Sequence, residues 1–106
     1  MKEIRWLKEA EDELASIVNY VFVNQGQNVA VQVYDNIISQ IDLLAEFPEL
    51  GTSETNYKFK GKPLRVLHSK HTRVFYTIQE TSIDIILLWS NRMDDRKIGK
   101  KLSERN

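Results

Sequence analysis

A chain of 106 residues with 42% apolar side chains can bury one core, so the sequence reads as a single domain over residues 1–106 and excludes global disorder. The absence of cysteine excludes disulfides and thiolate metal sites. The formal net charge of zero is not that of a general nucleic-acid binder, and no apolar run approaches the roughly 20 residues of a spanning helix.

The N-terminal MKEIRWLKEAEDE has no apolar stretch of signal-peptide length, so a soluble cytoplasmic protein is expected. The neutral total hides an asymmetry. Residues 1–50 carry three Lys/Arg against nine Asp/Glu, a balance of −6, and residues 51–106 carry twelve against six, a balance of +6. Two faces with different partners are expected from that division.

In chain order, KEIRWL (2–7) reads as a short strand, with Ile4 and Trp6 on one face. From Lys8 to about Val23 the period changes. Ala10, Leu14, Ile17, Val18, Val21 and Phe22 follow the three-and-four spacing of an amphipathic helix. Glu9, Glu11, Asp12 and Glu13 crowd its first turn, where the helix dipole favours acids. Gly26 marks the stop, Asn28 the cap of a second helix, and that helix runs to about Glu46 on a stripe of Val33, Ile37, Ile41 and Leu44. The link is short, so the two helices form an antiparallel hairpin.

FPELG (47–51) ends the helical part, with Gly51 allowing a turn. Strands follow: a short one at Tyr57–Lys60, then Leu64–His68, Arg73–Gln79 and Ile83–Trp89. The last has Ile83, Ile85, Leu87 and Trp89 on one face and Ile86 and Leu88 on the other, as a central strand would. A short C-terminal helix is placed around Arg96–Leu102, weakened by Gly99. The fold class is α+β: an N-terminal strand, an antiparallel helical hairpin and a three-strand antiparallel meander (β-α-α-β-β-β).

No Gly-rich phosphate loop or nucleophile elbow is present. His68 and His71 lack a nearby third ligand, so no metal site and no cofactor are expected. An imidazole titrates near neutrality, which makes either histidine a general acid–base candidate. The stronger constellation is basic. Arg65, Lys70 and Arg73 lie on two adjacent strands and their turn, and Arg92, Arg96 and Lys97 follow the last strand. Antiparallel pairing brings Arg73 and Arg92 to the same edge of the sheet. Grouped guanidinium groups suit a phosphate backbone or an acidic protein surface, and Asp84, Asp94 and Asp95 are available to neutralise them.

Taken together, AEDELASIVNYV, the helix from Ile37 into FPELG, RVFYTI (73–78) and IDIILLWSNRMD (83–94) resemble the RelE/ParE superfamily of toxins from type II toxin–antitoxin (plasmid stabilisation) systems. The resemblance covers about residues 3–98. Arg92 looks like the arginine that follows the last strand in that superfamily. In its ribonuclease members such basic residues hold messenger RNA on the ribosome. Carried over, Arg73 and Arg92 would stabilise phosphate charge, with His68 or His71 as acid or base. The chain departs from that branch: no tyrosine or histidine follows Trp89, and strand Leu64–His68 lacks a dense lysine pattern. The NRMD ending looks more like the ParE branch, whose members poison DNA gyrase by protein contact.

The resemblance therefore implies a growth-inhibiting toxin that binds DNA gyrase through Arg65, Lys70, Arg73, Arg92, Arg96 and Lys97. It also implies neutralisation by a cognate antitoxin in a toxin–antitoxin hetero-oligomer. An amphipathic antitoxin helix would seat between the helical hairpin and the sheet. The alternatives are a ribosome-dependent endoribonuclease acting on mRNA and a non-toxic antitoxin-binding module.

Overall fold

The structure, a computed structural model, describes residues 1–105. Its elements are β1 (Glu3–Trp6), α1 (Lys8–Gln25), α2 (Gln27–Leu43), β2 (Thr52–Phe59), β3 (Lys62–Ser69), β4 (Thr72–Ile78), β5 (Ser82–Ser90), a 3-10 turn η1 (Asp95–Lys97) and α3 (Ile98–Arg105). One five-stranded sheet has the order β1-β5-β4-β3-β2. Strand β1 pairs with β5 in parallel, Ile4 opposite Ile83, and the remaining pairs are antiparallel. The α+β class, the leading strand and the hairpin agree with the sequence reading. All four strands read after the helices join the sheet, so the meander has four strands rather than three. Strand β2 is a sheet edge whose first half, TSETN, buries nothing, so only its apolar end showed as a strand.

The hairpin link is tighter than expected. Gly26, at φ 93°, closes α1 by donating from its N–H to the Phe22 carbonyl at 3.0 Å and is also the N-cap of α2. Asn28 therefore lies inside α2 and does not cap it. A single glycine can do both because its backbone takes a left-handed φ without a Cβ clash.

Two cores flank the sheet. On one face Leu14, Ile17, Val33, Ile37 and Ile41 of the hairpin pack on Val74, Tyr76, Ile83, Ile85 and Leu88. On the other, Ile98 and Leu102 of α3 pack on Phe75, Ile86, Leu87 and Trp89. Each fully buried side chain of this kind contributes about 2 kcal/mol. That burial is why α3 forms despite Gly99. A Cβ at Gly99 would meet the Tyr57 ring at 3.4 Å, an ordinary contact, so the close approach of α3 to β2 does not depend on the glycine.

The face assignment of β5 needs one correction. Phe75 pairs with Leu87 while Tyr76 pairs with Ile85, so Ile86 is the extra residue of a β-bulge. The bulge flips the alternation. Ile83 and Ile85 face the hairpin, Leu87 and Trp89 face α3, and Leu88 returns to the hairpin side. Period two alone cannot register an inserted residue.

The loop after α2 is pinned by the buried Tyr76. Its hydroxyl donates to the Pro48 carbonyl at 2.7 Å and accepts from the Gly51 N–H at 3.0 Å. Gly51 is there for space rather than for a special φ: a Cβ would lie 2.6 Å from the Val66 carbonyl oxygen and 2.8 Å from the Tyr76 hydroxyl.

Candidate target-binding site

Register brings the strand-end residues together and alternation then separates them. Thr72 lies opposite Ser90 and Arg73 opposite Trp89, so the start of β4 and the exit of β5 share one end of the sheet. Val74 and Tyr76 face the hairpin and Phe75 faces α3, which puts Arg73 on the α3 side. There Arg73 Nε donates to Asn91 Oδ1 at 3.2 Å, and its guanidinium pairs with Asp95. Arg92 lies on the hairpin side, its guanidinium carbon 3.6 Å from the centroid of the Tyr20 ring on α1. The two arginines reach the same sheet end but opposite faces of it.

Several of the other basic residues are committed to the fold. Arg65 donates to the carbonyls of Glu49, at 3.1 Å, and Gly51, so it holds the loop that Tyr76 also holds. Arg96 is bidentate on Asp94, its Nη2 2.9 Å from Oδ2. That contact, reinforced by the Arg96 N–H at 3.0 Å, holds the Asp94 carboxyl below the usual aspartate range. Asp84 lies 3.9 Å from Arg5 and not near Arg92. Lys70, Arg92 and Lys97 make no ion pair among the described residues.

The histidines are separated. His71 occupies the β3–β4 turn at φ 57°, a left-handed value that histidine adopts at some cost, and its carbonyl accepts from the Asn91 N–H at 2.8 Å. His68 is exposed on β3 and lines a shallow depression with Gln40 and Leu43. No acid–base pair is assembled from them. Among the described residues no group of three His, Cys, Asp or Glu is placed to hold a metal ion.

What the fold does build is a cleft of about 390 Å³ between α1, the β3–β4 turn and the end of β5. Tyr20 and Ile17 form one wall, Lys70, His71 and Thr72 another, and Arg92 lies across it. Sequence reading identified Lys70, His71 and Arg92 but missed Tyr20 and Thr72. The available signal for Tyr20 was an aromatic outside the main apolar stripe of α1, left 42% exposed. A larger apolar concavity of about 750 Å³ runs between α1 and α2, with Phe22, Val31 and Tyr34 along it and Trp6 at its margin. The groove expected between hairpin and sheet is largely occupied by the hairpin core, so the long apolar groove lies between the helices instead.

A short strand, a helical hairpin and an antiparallel meander ending in a basic strand exit define the architecture of small toxin domains. Residues 4–95 match the model of the ParE toxin of the type II toxin–antitoxin system, parDE, and the chain belongs to that family. Among solved structures it is similar to one described as the chromosomal ParDE TA system from P. aeruginosa, with a TM-score of 0.70 and 18% identity. That match covers 85% of this chain and 96% of the other, and at such identity it speaks for the fold. No curated protein matches the chain. Among the described residues no helix is long and apolar enough to cross a membrane.

Proposed function

We propose that this toxin-family chain arrests growth by protein–protein contact with DNA gyrase and is neutralised by a cognate antitoxin seated in the groove between α1 and α2. The observation that carries the reading is the dispersal of the acid–base candidates. Phosphodiester cleavage needs a base, an acid and charge stabilisation around one reacting phosphate. Here His68 and His71 line different depressions, and Arg73 is tied to Asp95 on the face opposite Arg92. A protein contact needs no such convergence. It needs exposed groups on a rigid support, and Lys70 and Arg92 meet that description.

The direct test is a supercoiling assay with purified gyrase and purified toxin. Loss of supercoiling, restored by antitoxin, is expected. Unaffected gyrase together with cut messenger RNA on programmed ribosomes would instead support the endoribonuclease reading.

A further inference from the structure

The cleft at the β5 exit combines features that the fold itself does not use. Arg92 is stacked on Tyr20 by one face of its guanidinium, which fixes the plane and leaves the N–H edge without an acidic partner. Lys70 and His71 line the opposite rim, His71 in a left-handed turn that glycine would adopt at lower cost. Thr72 lines the same cleft but is 1% exposed and its hydroxyl is closed off from solvent, so the groups open to a ligand are Arg92, Lys70 and His71.

The ligand chemistry follows from these groups. A planar guanidinium with a free edge, an ammonium and an imidazole together suit a carboxylate. We infer that this cleft is a receptor for an acidic side chain of a protein partner, with Arg92 as the anchor and Lys70 on the facing rim. This inference rests on the protein-contact reading above. Nucleic acid fits less well on two grounds. The Tyr20 face is already taken by Arg92, so no ring is offered to a base. The neighbouring guanidinium groups that would extend a phosphate track, Arg73 and Arg96, are paired with Asp95 and Asp94.

The test is a titration of the full chain, followed by amide NMR, with three probes: an acetylated tetraglutamate peptide, its tetraglutamine counterpart and a hexauridylate RNA. Saturable shifts at Thr72, Asn91 and Arg92 with tetraglutamate, and none with tetraglutamine, are expected. Arg92→Gln should weaken that binding by about tenfold or more, the loss of a charge-assisted contact. Lys70→Gln distinguishes a ligand role from a structural one. It should weaken tetraglutamate binding and leave the melting temperature unchanged, because Lys70 is exposed and makes no ion pair among the described residues.

Equal response to tetraglutamine, no saturable response to any probe, or tighter binding of hexauridylate than of tetraglutamate would each overturn the inference. Failure of the titration while gyrase is still inhibited would remove the cleft's role and leave the protein-contact reading standing.

Discussion

Glu13 of α1 and Arg105, the last residue of α3, meet across the edge of β5 in a nearly buried ion pair. Both also serve the sheet backbone. Arg105 Nη1 donates to the Ile86 carbonyl at 2.8 Å, and Glu13 Oε1 accepts from the Leu88 N–H at 3.1 Å. Strand β1 ends at Trp6, its cover of β5 ends near Ile85, and Ile86 is the bulged residue. The pair therefore completes the part of β5 that no strand covers and ties the first and last helices to it.

Removing either partner leaves a charge with little water around it. The Arg105 side chain is 6% exposed and that of Glu13 is 21% exposed, so some of the penalty is relieved on the carboxylate side. Arg105→Ala is expected to cost about 3 kcal/mol, the lower end of the range for a broken buried pair. Urea unfolding of the two proteins measures it, and a loss below the error of extrapolation would contradict the assignment.

The Tyr76 hydroxyl gives a second stability prediction. Tyr76→Phe keeps the ring in the hairpin core but leaves the Gly51 N–H and the Pro48 carbonyl without their partner. A loss of about 1–3 kcal/mol is expected. Gly51→Ala should be no milder, since its new methyl would press on the backbone of Val66 and on the same hydroxyl. Thermal denaturation of both variants checks the pair.

Charge reversal separates the arginines that hold the fold from Arg92, which makes no ion pair among the described residues. Arg92→Glu removes a stacking contact on an exposed residue and should change stability by no more than about 1 kcal/mol. Growth arrest should nevertheless be lost. Arg65→Glu would set a carboxylate against the carbonyls of Glu49 and Gly51, and Arg73→Glu would set one beside Asp95. Those two should lose activity together with stability. Denaturation midpoints read beside growth curves distinguish the cases, and full arrest by Arg92→Glu would refute the role given to it.

Asp94 supplies a pH prediction. Its carboxyl is held low first by the Arg96 side chain, then by the Arg96 N–H and by the nearby Lys97 charge. A depressed carboxyl contributes stability above the ordinary aspartate range and loses it as pH falls through its own lower value. The site is exposed, so the effect is local. The Arg96 amide, which caps η1 through Asp94, should shift in NMR spectra with a midpoint below the usual aspartate range. In Arg96→Ala that midpoint should move up.

Much of the fold was legible because periodicity reports burial. The stripe Val33, Ile37, Ile41, Leu44 identified α2 against a competing strand pattern in Val29, Val31 and Val33. What was hidden depends on events that leave no period. An exposed edge has no buried face, so the first half of β2 did not show. The bulge at Ile86 inverted the faces of Leu87 and Trp89 without altering composition. The site was legible in part for the same reason. Sequence order placed Arg73 and Arg92 at one sheet end. The side each takes depends on the strand alternation at Arg73 and on the partners Asp95 and Tyr20, which lie far away in sequence.

The most direct test of the central claim is pulse-labelling of DNA and protein synthesis in parallel after induction without antitoxin. Contact with gyrase predicts that DNA synthesis falls first, with protein synthesis following only later. A first and rapid fall in protein synthesis, with DNA synthesis still running, would contradict it and return His68, His71, Arg73 and Arg92 to consideration as a ribonuclease site.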